Sequence, residues 1–580
     1  MVTETPRRRY DLDWLRVSAF AGVFFYHCAR FFNSSGWHVK NSETGGLADP
    51  FGLLRPAPPE PVVRLVMFPL FVLYGFLLKS SNKELLMTHS RLKRPAAVLT
   101  LFVFLAVAGS GAAGRQTSEA GGQAFPVGDL REDLRILWDV LDEGHGGFDR
   151  YTPRETLRKS FDDAAGRLTK PLTELEFYGM LLSLIAGIKD GHTGLSLSAS
   201  GRTDLLSKPV LLPLELRFIG EKAHIFRNLS GSREIPGGSE ILALNGKPMA
   251  EILGTLLPLV PCDAGILSRR LRLLENPNTF GLYYAVAFGR PEAFRLRYRS
   301  RPGGEERETT LPGLSGPDLG RIRRERYPEA TFPKPLYELG YRGSTAVITI
   351  RGFGDDRSAG NVPYPEFIQR TFRELAEKSV ETLIIDVRGN GGGRDEHGRL
   401  LFAHFMDRPF LYYKALEIKK NRFDLFRYAG GSGPNWPDEA LRKNARGWYD
   451  VLAHPNVGTM KPETPRFTGR TCILVDGLSF STTGESTSLF HYHKKALFLG
   501  EECGAGYYGN TSGATASVTL PRTGLQVRIP LTLYTLAVEG YPKDRGIVPD
   551  VAVAPSIEDL LAGRDVVMDK ALQLLQVPAK

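Results

Sequence analysis

The 580-residue chain is poor in cysteine, and the features that it lacks exclude several classes of function. Its four cysteines include no C-x-x-C pair, which argues against a zinc site and against a dithiol redox centre. The spacing of Cys472 and Cys503 is compatible with a disulfide but does not establish one. The net charge of +10 comes from scattered basic residues without a basic stripe interleaved with aromatics, so no nucleic-acid partner is expected.

Phosphate-binding and cofactor-binding signatures are also missing. The chain has no P-loop lysine motif and no G-x-G-x-x-G sequence that opens a helix. We therefore expect no metal and no organic cofactor. The composition, with 42% hydrophobic and 24% charged residues, is that of a globular protein, and the length is too great for one compact domain.

Three apolar runs distinguish the first part of the chain from the rest. Residues 17–32 and 62–78 are each of roughly membrane-spanning length. The third run, residues 96–113, follows basic residues and ends in small ones, so residues 87–114 resemble a secretory signal peptide that starts at Met87. The alternative is a third membrane helix. Both interpretations place the later residues outside the cytoplasm, in the periplasm or secreted, and tethered to the membrane if the segment is retained.

The opening segment has a resemblance of its own. "RRRYDLDWLRVSAFAGVFFYHCARFF" is similar to the start of a membrane acyltransferase family, whose Arg-x10-His pattern is met by Arg16 and His27. That fold requires many more membrane helices than the two found here. We therefore interpret residues 1–86 as an acyltransferase-like fragment joined to a secreted protein. Acyl transfer through His27 is the least favoured function.

Two modules are predicted before the main α/β region. Residues 115–205 begin with a polar linker and contain helix patterns near 129–141 and 172–188, which predicts a helical module. Residues 206–315 alternate with a period of two. Within them, "GGSEILALNGKPMAEIL" has the strand, Asn-Gly turn and helix order of PDZ-like domains, which hold an extended peptide at a sheet edge. An unrelated β-rich insert is the alternative.

Residues 333–555 alternate buried strands with helices, which is typical of an α/β core. The alternation is interrupted at residues 409–466 by a segment rich in aromatic side chains. This segment is interpreted as a lid or a partner surface, or as aromatics that pack locally. Residues 556–580 are predicted to form a C-terminal helix or tail.

Four stretches carry residues suited to acyl-transfer chemistry. "VDGLSFSTTGES" predicts a strand-to-helix corner with Ser481 at the helix start, where free amides favour negative charge. "IIDVRGNGGG" ends a strand in a loop with four glycines, whose amides can approach a ligand closely. His192 follows an Asp-Gly turn in "IKDGHTGLSL", and Glu539 follows a strand in "LAVEGYPKDRGIVPDVAV". Taken singly, each of these two is better explained as an ordinary surface residue.

In combination and order, "DGHT", "GSEILALNGKPM", "DVRGNGGG", "SFSTTGE", "LGEECGAG" and "GIVPDVAV" resemble the tail-specific, or C-terminal-processing, serine peptidase family over residues 129–555. The resemblance implies an α/β protease core of ClpP/crotonase-like ββα units with the nucleophile at Ser481. The bacterial branch uses a lysine base, but that position falls on about Gly506 here. The branch with "DGHT", similar to the tricorn core protease, uses a histidine and a glutamate, which map to His192 and Glu539.

The resemblance also assigns roles to these residues. The histidine takes the proton of the serine, the glutamate orients the imidazole, and backbone amides stabilise the oxyanion. The predicted catalytic residues are Ser481, His192 and Glu539, and the predicted oxyanion-hole amides are those of Thr482 and of Gly391 or Gly392.

The expected function is that of a serine endopeptidase. It would hydrolyse peptide bonds of extracytoplasmic proteins or peptides, including bonds near C-termini, through an acyl-enzyme at Ser481. The expected partner is a protein or peptide substrate recognised through its C-terminus, with the membrane as a second partner if the N-terminal helices are retained. The alternative is a non-catalytic binder of peptides or hydrophobic ligands on the same fold, which the departures at Cys503 and Ala505 favour.

Overall fold

The computed structural model describes residues 124–355, 362–430, 433–434 and 436–576. The predicted acyltransferase-like fragment and the predicted signal peptide or membrane helix lie outside these residues. No helix in the described ranges is long and apolar enough to cross a membrane. The described residues belong to a compact unit that spans residues 117–580.

Helices are found near residues 129–141 and 172–188, as the apolar periodicity predicts. Five helices were not predicted: Arg154–Arg167, Ala199–Ser207, Leu267–Leu274, Pro277–Phe288 and Gly316–Arg326. In the first of these, only Leu157, Phe161 and Ala164 are buried, so its apolar pattern is weak. In chain order the α-helices are α1 Val127–Gly144, α2 Arg154–Arg167, α3 Glu174–Ile188, α4 Ala199–Ser207, α5 Met249–Leu256, α6 Leu267–Leu274, α7 Pro277–Phe288, α8 Gly316–Arg326, α9 Tyr364–Glu377, α10 Asp395–Ala403, α11 Thr482–Tyr492, α12 Ile557–Leu561 and α13 Val566–Gln576.

The strands form three larger sheets and two short pairings. In chain order they are β1 Ala124–Phe125, β2 Leu172–Thr173, β3 Gly194–Ser196, β4 Leu214–Ile219, β5 Lys222–Asn228, β6 Glu240–Leu244, β7 Lys247–Pro248, β8 Ala293–Arg299, β9 Glu306–Pro312, β10 Tyr337–Arg342, β11 Thr345–Ile350, β12 Thr382–Asp386, β13 Phe410–Leu411, β14 Tyr413–Ile418, β15 Leu441–Lys443, β16 Tyr449–Val451, β17 Thr459–Met460, β18 Arg470–Val475, β19 Leu497–Gly500, β20 Gly509–Thr519, β21 Gln526–Leu536 and β22 Val551–Ala552.

The core sheet has the order β10-β11-β12-β18-β19-β22 and is parallel except for the pairing of β10 with β11. Its strands read as continuous apolar runs because helices cover both faces. Ile385 and Ile473 face the cluster that contains α9, α10 and α11, whereas Ile384 and Cys472 face α13. This arrangement confirms the predicted α/β core.

Cys472 and Cys503, whose spacing is compatible with a disulfide, lie on opposite faces of the core sheet. Cys472 packs in the cluster with α13, and Cys503 packs in the cluster on the opposite face. Both are buried free thiols, so no disulfide joins them.

A second sheet, with the order β15-β16-β14-β21-β20, absorbs much of the aromatic insertion. Strand β14 pairs with β21, and the neighbouring Tyr412 is fully buried. The short strand β3, which follows the "DGHT" turn, pairs with β21 through Gly194 and Arg528, on the same edge as β14 but at the other end of the strand. This pairing fixes the turn beside the core.

The third sheet lies in the predicted β-rich module and has the order β4-β5-β6-β8-β9. Strands β4 and β5 form a hairpin. Strand β6, a turn with positive φ at Asn245 and Gly246, and helix α5 follow in the predicted order. The relation of this module to PDZ domains stays a prediction.

Candidate active site

The backbone at Ser481 is strained in the way a helix-start nucleophile requires. Ser481 precedes α11 with φ 58° and ψ −129°, a region that costs a residue with a Cβ roughly 1–3 kcal/mol. Its side chain makes no capping hydrogen bond to the helix. The hydroxyl is therefore directed to a partner outside the helix.

That partner is His192, 289 residues earlier in the chain. Its Nε2 lies 3.0 Å from Ser481 Oγ. The imidazole is buried, and burial lowers the pKa of His192 to about 4. At neutral pH the ring is uncharged, so Nε2 can accept the serine proton. The structure thus brings together the serine and histidine that the sequence predicts.

The turn that carries His192 is held by a buried hydrogen-bond network. Asp190 Oδ1 accepts hydrogen bonds from the backbone amides of His192 and Thr193 and from the Thr193 hydroxyl. The hydroxyl of Thr511 on β20 donates to the other carboxylate oxygen. His145, also buried, accepts at Nδ1 from the Gly147 amide and contacts the Thr193 hydroxyl through Nε2 at 2.6 Å. These contacts fix the backbone of the turn, and none of them involves the His192 imidazole.

Glu539 is not in contact with this pair. Its side chain is exposed after the end of β21, and it makes no hydrogen bond or ion pair with His192. Nδ1 of His192 is buried and has no hydrogen-bond partner among the described residues. The orienting role of Glu539 stays a prediction.

The glycine-rich loop after β12 lies directly against the nucleophile. A Cβ at Gly392, where φ is 107°, would lie 2.6 Å from Ser481 Cβ and 3.0 Å from the Thr482 nitrogen. The Thr482 hydroxyl donates to the Gly393 carbonyl. The Gly392 amide is occupied, because it donates to Asn390 Oδ1. The amides of Gly391 and Thr482 donate to no described acceptor, so these two best fit the predicted oxyanion hole.

The two loops are tied together by Asp476, which follows β18. Its carboxylate accepts from the amides of Gly389, Leu478 and Ser479. Ser479 is fully buried and its hydroxyl donates to the Val387 carbonyl, so it is a structural residue of the corner. The structure therefore separates the hydroxyl that holds the corner from the hydroxyl that faces His192.

Gly506, the position of the lysine base in the bacterial branch, has no room for a side chain. A Cβ there would lie 2.1 Å from the hydroxyl of Tyr151, and its amide donates to buried Asp263. The packing around Gly506 therefore leaves no room for a lysine side chain at this position.

This packing predicts that Gly506→Ala destabilises the protein. The Tyr151 hydroxyl is buried, so the added methyl group should cost about 1–3 kcal/mol of unfolding free energy. The measurement is urea unfolding of both forms. Gly254→Ala is the matched control, because a Cβ at Gly254 in α5 meets nothing within 4 Å. Equal stability of the two variants would contradict the packing described here.

A buried acid lies one turn into the helix that starts after the nucleophile. The Glu485 amide donates to the Ser481 carbonyl, and its carboxyl contacts Tyr413 at 2.8 Å and Asn510 at 2.7 Å. The Tyr413 hydroxyl also lies 2.7 Å from Asp395 Oδ2. One hydroxyl proton cannot serve two carboxylates, so we infer that Glu485 is protonated and donates to Tyr413. Burial raises the pKa of Glu485 to about 8, which agrees with this.

The Glu485 proton has a measurable consequence for stability. A raised folded-state pKa gives stability that is complete below about pH 4.5 and is lost as pH rises through about 8. The melting temperature of wild type should therefore fall more steeply between about pH 5 and 8 than that of Glu485→Gln, whose amide can donate the same hydrogen bond. Parallel melting curves for the two proteins would show that Glu485 is ionised.

Sequence reasoning missed several residues of the site. Asp190, Thr193 and Asn390 lie inside the quoted motifs, so the sequence contained a signal that could have identified them. His145 and Tyr413 carry no local signal, because chain folding alone brings them to the site. Within the described residues, no group of three or more His, Cys, Asp or Glu side chains is arranged to hold a metal ion.

Residues 344–553 match the model of peptidase family S41. The fold is similar to that of mature CPAF, with a TM-score of 0.52 at 16% identity over 78% of this chain and 97% of that one. CPAF complexed with lactacystin gives a TM-score of 0.53 at 16% identity, over 78% of this chain and 98% of that one. The photosystem II D1 C-terminal processing protease aligns with a TM-score of 0.36 at 12% identity, over 75% of this chain and 96% of that one. No curated protein matches.

Proposed function

We propose that this chain, whose residues 344–553 match peptidase family S41, is a serine peptidase that cleaves internal peptide bonds through an acyl-enzyme at Ser481. The observation that carries the proposal is the 3.0 Å contact between Ser481 Oγ and His192 Nε2. A serine hydroxyl becomes a useful nucleophile when an adjacent base accepts its proton.

In the proposed reaction, Ser481 Oγ attacks the scissile carbonyl carbon while His192 Nε2 takes the hydroxyl proton. The amides of Thr482 and Gly391 donate to the developing oxyanion. The C–N bond then breaks, and His192 returns the proton to the leaving amine. A water molecule, deprotonated by the same imidazole, hydrolyses the ester and restores the serine.

Glu539 is proposed as the residue that orients His192, as its place in the sequence predicts. The support is chemical: Nδ1 of His192 is buried without a partner, and a carboxylate that moves onto it during catalysis would stabilise the imidazolium. Glu539→Gln is expected to lower kcat by roughly 10²- to 10⁴-fold in a steady-state assay. An unchanged kcat would limit the machinery to Ser481 and His192.

Cleavage of an unfolded protein distinguishes the peptidase from the alternative, a non-catalytic binder on the same fold. The full chain is incubated with a denatured, reduced protein substrate, and new termini are identified by mass spectrometry. The proposal expects internal cleavage sites that appear with time. A protein that retains its substrate in pull-down experiments but produces no new termini would support the binder.

We also propose that the β-rich module recognises the free C-terminus of the substrate. The support is the order of β6, the Asn245-Gly246 turn and α5, which is that of PDZ-like domains. Ser481→Ala protein is titrated with peptides that carry either a free or an amidated C-terminus. Tighter binding of the free form is expected, and equal affinity would remove C-terminal recognition from the proposal.

An extracytoplasmic location is proposed from residues 1–114, whose basic and apolar pattern supports either a signal peptide or membrane helices. The N-terminal sequence of the mature protein tests this. Cleavage shortly before residue 115 would indicate a signal peptide, and an intact N-terminus in the membrane fraction would indicate a tether. An intact protein without membrane association would contradict the proposed location.

A further inference from the structure

The His192 ring is held by contacts that the catalytic mechanism does not use. Its imidazole stacks on the ring of Phe480, with the ring centroids 4.6 Å apart and the planes 29° apart. Because Nδ1 has no hydrogen-bond partner, no hydrogen bond at that atom fixes the ring orientation. The stacking contact is thus a main determinant of where Nε2 points.

The backbone of Phe480 is fixed by two hydrogen bonds. Its amide donates to the Asn390 carbonyl, and its carbonyl accepts from the Thr483 amide. A Cβ at Gly191, next to His192, would lie 2.6 Å from the Phe480 ring, so the ring fills the space beside the turn. Phe480 therefore links the glycine-rich loop, the helix start and the histidine turn.

The guanidinium of Arg269 completes the stack. Its central carbon lies 4.0 Å from the centroid of the Phe480 ring. Arg269 makes no hydrogen bond or ion pair with a described residue, and its Nε is buried without a partner. No carboxylate of the described residues lies in direct contact with this guanidinium. Its main contact is the ring of Phe480.

Helix α6, which carries Arg269, is firmly attached to the core around the corner. The Ser268 hydroxyl donates to the Glu502 carbonyl, and Arg272 forms an ion pair with Glu501. A Cβ at Gly477 would lie 2.4 Å from the Ser268 carbonyl oxygen. The cation is thus held in one place relative to Ser481.

We infer that Phe480 and Arg269 are positioning residues: the ring orients His192 toward Ser481, and the cation disfavours the imidazolium when no substrate is bound. This inference rests on the proposed function. It goes beyond the triad because Arg269 comes from the β-rich module, outside the matched region of residues 344–553.

The charges around His192 agree with this role. Cationic neighbours lower the pKa of the imidazole and anionic neighbours raise it, with burial as the main cause of the lowered value. Asp263 lies at the same turn and accepts the Gly191 amide. The charged residues that face His192 or its turn are Asp190 and Asp263, which are acidic, and Arg150, Arg269 and Arg528, which are basic.

The test combines kinetics with a titration that needs no activity. In Ser481→Ala protein, the ring carbon-13 signal of His192 is followed against pH, with assignment by His192→Gln. Adding Arg269→Met should move the midpoint upward by about 0.5–1 in pH, and Arg269→Lys should restore it. Arg270→Met is the matched control on the same helix. A midpoint that stays in place, or that moves equally in the control, would overturn the role of Arg269.

The ring is tested separately in the catalytically competent chain. Phe480→Leu should lower kcat by about 10- to 100-fold with little change in KM, because the imidazole loses its orientation. A raised KM with unchanged kcat would overturn the role of Phe480. If Phe480→Leu does not fold, the Arg269 titration decides the inference. If wild type hydrolyses no peptide, the proposed function fails, whereas the titration still decides whether Arg269 tunes His192.

Discussion

Ser481→Ala is expected to abolish peptide hydrolysis while leaving the fold intact. The side chain makes no capping hydrogen bond and faces only His192, so its removal costs the fold little. Loss of a serine nucleophile lowers kcat on the order of 10⁴- to 10⁶-fold in enzymes of this chemical type. The measurement is steady-state hydrolysis of a fluorogenic peptide, with the melting temperature recorded for the same sample.

Ser486→Ala is the matched control for this substitution. Ser486 lies in the same helix, and its hydroxyl donates only to the Thr483 carbonyl one turn earlier. The control should keep kcat within about threefold of wild type, because that hydroxyl does not contribute to the site. Activity that survives in Ser481→Ala, or that is lost equally in both variants, would show that Ser481 is not the nucleophile.

His192→Ala is expected to cause a loss of the same order, and the double variant with Ser481→Ala should be no worse than either single one. Residues that act as a unit show this non-additivity. Because burial holds the pKa of His192 near 4, the acidic limb of kcat/KM in wild type should have its midpoint well below 6.5. The value of kcat/KM falls on the acidic side because only the neutral imidazole accepts the serine proton.

A pH series of kcat/KM from pH 4 to 8 checks the second part of this prediction. A midpoint at or above 6.5 would mean that the imidazole is solvated in the free enzyme, contrary to the buried ring in the structure. Additive losses in the double variant would separate the two residues into independent roles.

The central pair of the site could be predicted because its residues sit in short, ordered motifs. The helix-start position together with the family order of the motifs singled out Ser481, and the family resemblance that includes "DGHT" singled out His192. The buried strands of the core sheet were equally visible as continuous apolar runs. Local pattern was sufficient wherever one segment determines the geometry of its own residues.

Other features depend on long-range packing and could not be predicted in this way. Arg269 reaches the site because α6 packs against the corner, which no local pattern encodes. The aromatic insertion contributes strands to the second sheet, and β14 pairs with β21 more than a hundred residues later. Glu539 is the reverse case. Its motif predicted a role beside His192, but its side chain lies in an exposed loop and does not contact His192.

The most direct measurement of the central claim is reaction of the full chain with a fluorophosphonate, followed by digestion and mass spectrometry of the labelled peptide. Only a serine activated by a neighbouring base should react. We predict one adduct, located on Ser481, that is absent in His192→Ala protein of unchanged melting temperature. A folded wild-type chain that remains unlabelled, or an adduct on a different serine, would contradict the account.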